Sequence, residues 1–225
     1  MRRPASVDAV AEFGRIRLSR SFFMRDFLFS DIAAINGFSN IPDDPDLAVK
    51  AGTQLCEQLL EPLQNAFGRV AIRSAYRSSE VNAFGNVHGH NCASNALNAG
   101  RHIWDARRTD GGIGATACII VPSFWDAFQA PGDWQRLAWW IHDHLPYSAI
   151  SFHPVYWAFN LTWSDVPERT IYSHVEPKGL LTKPGAANSK GSHAAEWRGV
   201  IEAIEAQRRR LPQTGTAACP PNFAS

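Results

Sequence analysis

The chemistry this chain offers is concentrated in eight histidines, four cysteines and one loop of mixed charge. Between Gly100 and Gly112 the run Gly-Arg-His-Ile-Trp-Asp-Ala-Arg-Arg-Thr-Asp-Gly-Gly delivers His102, Asp105 and Asp110 just before an apolar segment. An imidazole with two carboxylates suits Zn²⁺ ligation or an acid/base pair. The competing use is pairing of the carboxylates with Arg101, Arg107 and Arg108. His88 and His90 precede the loop. Cys118 follows it on the apolar segment, where a thiol serves as a metal ligand, a nucleophile with His102 or His153 as base, or a small buried hydrophobe. His142 and His144 are two apart on a helical pattern and face different sides, which disfavours joint ligation; bonding to the last helical carbonyls is the plainer role of His144. Among eight tryptophans, Trp104, Trp157 and Trp163 lie near polar loop residues and offer platforms for a sugar ring as readily as core packing.

The elements that must position these groups follow from periodicity. Phe22, Phe23, Phe27, Leu28, Ile32 and Ile35 recur near helical spacing, with a break near Ser30 and a stop at Asn36-Gly37. Asp44-Pro45 opens a second helix whose Leu47, Ala51, Leu55, Leu59, Leu63 and Phe67 recur every four residues, with a kink expected at Pro62. Arg69 to Ala75 alternates as a strand. From Ser79 to Asp110 only a helical turn near Glu80 to Phe84 is legible, and a loop that long in a compact domain is usually functional or disordered. Gly114 to Val121 reads as a buried strand. Two helices split at Pro131-Gly132 follow, then strand-like runs at Tyr147 to Phe152, Trp157 to Trp163 and Arg169 to Val175. This order predicts an α+β fold, a mostly antiparallel sheet flanked by helices. Three parts are expected: a partly ordered lead-in over 1–20, the α+β domain over 21–180, and a tail over 181–225 with one short charged helix, Ala194 to Arg210.

Composition narrows the function classes. With 225 residues, 45% apolar and 19% charged, the chain can bury a substantial core. A net charge of +1 gives no global field for nucleic acid or acidic lipid, and Arg208-Arg209-Arg210 reads as a solvated helix C-terminus. No apolar run approaches the roughly 20 residues of a membrane span. Asp8, Glu12, Arg15 and Arg17 interrupt what would be the apolar core of a signal peptide. Cys56, Cys92, Cys118 and Cys219 form no Cys-x-x-Cys pair, so reduced thiols in a cytoplasmic protein are expected.

Read together, Ala71-Ile72-Arg73-Ser74-Ala75 and Tyr76-Arg77-Ser78-Ser79-Glu80-Val81-Asn82 resemble the Ser-Gly-Tyr-Arg-Ser-Pro-Glu-x-Asn segment of the zinc D-Ala-D-Ala carboxypeptidases and related L,D-peptidases, including phage endolysins. The Leu55 to Leu63 helix precedes this strand as in that family. Gly114-Ala115-Thr116-Ala117-Cys118-Ile119 is similar to its Gly-x-Ala-x-Asp-Ile strand, and Ala158 to Thr162 falls at its last active-site strand, so the likeness runs from Phe22 to about Trp163. The resemblance implies a Hedgehog-like fold and a zinc-dependent peptidase of bacterial or phage type acting on peptidoglycan peptides or other small peptides, with phage-type release one route out of the cell. Strand alignment places Gly111 at the first zinc ligand, Cys118 at the aspartate, Asn160 at the second histidine and Phe152 or His153 at the base. A rebuilt site would draw on His102 and Asp110 with Cys118 or His88 as metal ligands, and on Arg77, His102 and Asp110 for catalysis. Tyr76, Arg77, Asn160 and Trp104 would contact substrate. Three readings follow: a zinc hydrolase with altered ligands, a non-catalytic descendant that binds cell-wall peptides or another carboxylate in the old cleft, and a Cys118 nucleophile enzyme.

Overall fold

A computed structural model of the chain describes residues 1–210. The Pro-rich end of the tail and Cys219 lie outside the described residues. Six strands form one sheet in the order β1-β2-β4-β3-β5-β6: Ala71–Ser74, Gly114–Ile120, Phe159–Ser164, Ala149–Phe152, Thr170–Ser173 and Gly179–Thr182, numbered along the chain. All neighbours are antiparallel except β3 and β5, which run parallel. The four strands expected between Val70 and Thr162 therefore share one sheet, as does the run near Arg169.

Central β2 pairs with β4 in unbroken register from Gly114↔Ser164 to Ile119↔Phe159. Since successive side chains alternate faces, one face collects Ala115, Ala117, Ile119, Phe159, Leu161, Trp163, Ile150, Phe152 and Ile171, all within the core. Packed on that face is α3, Pro45–Leu55, which runs through a π turn at Cys56–Leu60 into α4, Glu61–Phe67. Asp44 caps α3 by accepting from the Leu47 N–H at 3.1 Å. The expected disruption around Pro62 appears one turn earlier, as the π turn, because proline at the second position of α4 removes an N–H. Gly52 lets α3 approach the sheet side closely: a Cβ there would stand 2.7 Å from the Trp104 ring.

The remaining helices are α1, Val7–Gly14; α2, Asp31–Asn36; α5, Ser79–Val87; α6, Asn95–Asn98; α7, Pro122–Ala127; α8, Trp134–His144; α9, Ala194–Trp197; and α10, Val200–Arg210. Three expectations need correction. The 1–20 segment is not a loose lead-in: α1 is capped by Ser6, Phe13 and Leu18 enter the core, and buried Glu61 accepts from Ser19 Oγ at 2.8 Å and Ser21 N at 2.5 Å. The Phe22 to Ile35 pattern is a 3₁₀ turn, Met24–Phe27, followed by α2, because Ser30 starts a new helix by accepting from Ala33 N. The tail contributes β6, and its helix breaks into α9 and α10 at Gly199, whose φ of 79° is left-handed.

Residues 193–197 of the tail are tied to α8 by one half-buried carboxylate. Asp143 of α8 accepts from His193 N at 2.7 Å, His193 Nδ1 at 2.6 Å and Trp197 Nε1 at 2.8 Å, while the His193 ring stacks 4.0 Å from Trp139. Burial pushes the Asp143 carboxyl up, but the bonds from Trp197 and His193 outweigh it and hold it below the usual carboxylate range. A carboxyl whose folded value is lowered stabilises docking fully above its unfolded value near about 4, and that contribution is lost as pH falls through the folded value. Asp143→Ala leaves three half-buried donors without their acceptor, so docking of 193–199 weakens by about 1 kcal/mol. Amide exchange in that segment should rise at neutral pH in this variant, and in the wild type only on acidification below about pH 4; unchanged protection would contradict the assignment.

Candidate functional site

The face of the sheet opposite the core is polar, and the same register that builds the core builds it. Ser74, Cys118, Asn160, Ser151 and Tyr172 pair successively across five strands, and Thr116, Thr162, Ala149 and Thr170 form the next row. Thr116 and Thr162 join their hydroxyls at 2.8 Å. These rows floor a cleft of about 720 Å³, walled by Arg77, His102, Asn98 and Arg101 on one side and by His153 and Val155 on the other.

Arg77 is placed by a clamp around its neighbours. Asn40 accepts from Ser78 N at 2.8 Å and donates to Tyr76 O at 3.0 Å, while Ser78 caps α5 by accepting from Val81 N. Tyr76 is among the residues lining the cleft, but its ring is fully buried and its hydroxyl donates to Asp105 Oδ1 at 3.1 Å, which braces the bend. The Arg77 backbone N–H donates to His102 O at 2.9 Å, and its guanidinium reaches Cys92 Sγ at 3.3 Å. Arg77 lines the cleft, and its guanidinium has no carboxylate ion pair among the described residues.

His102 is buried, with Nδ1 2.7 Å from Ala75 O and the Asn160 side chain in hydrogen-bonding contact. A carbonyl can only accept, so Nδ1 carries the proton. Burial, then the nearby Arg77 charge, push the ring down to about 3, which leaves it neutral near pH 7. Cys118 lies on the floor, where burial raises its thiol and Arg73 and Arg77 only partly offset this. A thiol held up in this way is a poor nucleophile.

Arg73 sits at a bulge in β1. Ala71 and Ile72 pair with Ile120 and Ile119, but the next partner of β2 is Ser74 opposite Cys118, so Arg73 is the extra residue. Ile72, opposite Ile119, faces the core, so alternation already turns Arg73 to the cleft that it lines, and the bulge brings Ser74 to the same side. The long 79–110 stretch also differs from its expectation. Buried Asn82 donates to Ala93 O at 2.9 Å and Asn95 Oδ1 at 2.8 Å, and accepts from Asn98 at 2.6 Å. The Asn-rich composition is an amide network that holds α5 and α6 as a cleft wall.

Several expected site residues fall elsewhere. Asp110 is exposed, paired with Arg108 at 3.1 Å and accepting from Gly112 N, because the loop turns it back onto its own arginine. It is not among the residues lining the cleft. His88 is also outside: its exposed ring stacks 3.9 Å from Phe84 and bonds Phe84 O. Trp104 is a core residue, between Phe27 and Tyr76 with Nε1 on Thr116 O, and cannot stack on a ligand. The ligand set expected for zinc is thereby divided, with His102 and Cys118 in the cleft and Asp110 and His88 outside it. Among the described residues no group of three or more His, Cys, Asp or Glu side chains could hold a metal ion. The residues present do not fit Zn²⁺. His144 bonds Trp140 O at 2.7 Å, the helix-end role expected of it, and His142 meets the Tyr147 hydroxyl at 2.6 Å.

The protein-family models, curated proteins and solved structures compared with the chain contain no match to it. No helix among the described residues is long and apolar enough to cross a membrane.

What remains at the site is cationic. Arg73, Arg77 and Arg101 line the cleft, Arg101 is tied to Glu168 at 2.7 Å, and Asp31 is the one acidic residue among the lining residues. The buried neutral state of His102 is directly checkable. Its ring resonances should stay constant from about pH 5 to about pH 8, well above the folded value and across the range where an ordinary histidine titrates; a titration midpoint near 6.5 would contradict the contacts that fix it.

Proposed function

We propose that the protein binds a small peptide by its carboxylate in this cleft, as a non-catalytic relative of the peptidases it resembles, with peptidoglycan-type peptides the class that the resemblance suggests. The observation that carries this reading is Arg77, which lines a cleft whose single acidic lining residue, Asp31, forms no ion pair with it. A guanidinium without a partner at a polar floor is a ready site for a carboxylate, because a charge-assisted, two-pronged hydrogen bond is about twice as strong as a neutral one. Asn160, Ser151 and the Thr116–Thr162 pair supply neutral donors and acceptors for the peptide's amide groups. The zinc hydrolase reading needs His102, Asp110 and Cys118 or His88 around one ion, and Asp110 and His88 stand apart from the other two.

The test is calorimetric titration of the intact protein with N-acetyl-alanyl-alanine and with its C-terminal amide. The free acid should bind and the amide should bind at least about tenfold more weakly, since only the acid presents a charge to the guanidinium. Arg77→Ala should erase the difference between them, and Arg77→Lys should restore part of it, because lysine keeps the charge and loses the fork. Equal binding of acid and amide would overturn the reading. So would cleavage of the dipeptide at a rate that depends on added zinc.

A further inference from the structure

Beyond the Arg77 end, the cleft has a second group of basic side chains that the carboxylate reading leaves without work. Strands β3 and β5 run parallel and in register, Ala149↔Thr170 through Phe152↔Ser173, so the next residues, His153 and His174, leave the sheet side by side. They share the parity of Ser151 and Tyr172 and therefore the cleft face. Their rings lie 5.4 Å apart and nearly parallel, at 12°, and Tyr172 meets His174 edge-on at 5.0 Å. Their backbones are fixed by His153 N to Ala158 O at 2.7 Å and His174 N to Phe152 O at 2.9 Å. His153 lines the cleft, and exposed His174 stands beside it at the rim. Arg73, at the bulge of β1, lines the cleft and is close enough to act on His153 electrostatically.

We infer that Arg73, His153 and His174 form a second oxyanion subsite, so that the ligand of this cleft carries two anionic groups, one for Arg77 and one for this trio. The inference rests on the carboxylate reading for the first group only. Beside an arginine, two stacked imidazoles disfavour each other's protonation, and an incoming anion relieves that repulsion. Burial, then His174, then Arg73 hold His153 below its ordinary value in the free protein. The groups facing the pair include Arg73 from β1, Arg77 beyond it, neutral His102, Cys118 and Tyr172 from the floor and rim, and Asp31 as the single acidic residue lining the cleft. An anion bound here raises His153 from its lowered value, so binding takes up a proton. Affinity is then greatest below the free-state values and falls as pH rises through the bound-state ones.

Inorganic phosphate is the probe, because it presents an oxyanion without a peptide. In a nuclear magnetic resonance titration of the intact protein at about pH 6, the ring resonances of His153 and His174 should move together with phosphate, and the apparent affinity should drop at least about tenfold by about pH 8. The double variant His153→Gln/His174→Gln should lose that pH dependence, while Arg77→Ala should keep it. Rings that do not respond to phosphate at either pH overturn the subsite, as does a pH dependence that survives the double variant. The two readings fail separately: loss of discrimination between dipeptide acid and amide removes the Arg77 contact, while a phosphate response at His153 and His174 would still stand.

Discussion

The pairing of β2 with β4 is the constraint on which the rest of the molecule depends. Six consecutive partners, Gly114 to Ile119 against Ser164 to Phe159, fix which side chains are buried and which face the cleft. A slip of one residue would send Cys118 and Asn160 into the core and Ala117 and Leu161 to the polar side. The closest approach along this seam is at Gly114, where a Cβ would lie 2.3 Å from Gly100 O and 2.7 Å from Trp163 O. There the polar loop that carries His102 is pressed against the strand that carries Cys118, joined also by Thr116 N to Arg101 O at 3.0 Å.

Electrostatics in the cleft follow from that placement. The loop's carboxylates are spent on the loop itself and its surroundings: Asp110 on Arg108, and Asp105 on Tyr76 and on the backbone N–H of Asp43. Glu168 draws in both Arg101 and Arg108. Arg73 and Arg77 are left facing the polar floor. With His102 held neutral by burial, the cleft keeps fixed positive charge at its edges and neutral hydrogen-bonding groups in its middle. Exposed Phe29, Val155 and Tyr172 give the lining an apolar component for side chains.

Much of this architecture was legible in the sequence. The four-residue spacing from Leu47 to Phe67 located the helix on the core face, and the apolar run at Gly114 located the central strand. Cys118 and Asn160 do share one row, as the alignment of the two strands required, and Arg77 and His102 do border the same cleft. What escaped depended on contacts no local pattern encodes. Ser74 joins the cleft row through a bulge, which breaks the period of two that strand reading assumes. Asp110 lies near His102 in sequence and apart from it in the fold because Arg108 is nearer. Trp104 looked like a loop aromatic, yet Gly52 on a distant helix opens the space that buries it. The asparagines between Asn82 and Asn98 bond mostly to one another and to backbone across intervals that have no periodic signature.

The central claim is that Arg77 meets the ligand's carboxylate directly. The most direct measurement follows the Arg77 Nε–Hε resonance of the intact protein during titration with N-acetyl-alanyl-alanine and, separately, with the amide of that dipeptide. A carboxylate docked on the guanidinium should slow exchange of that proton and shift its resonance with the free acid, with little response to the amide. An Arg77 resonance that ignores the free acid while resonances elsewhere in the cleft move would contradict the account.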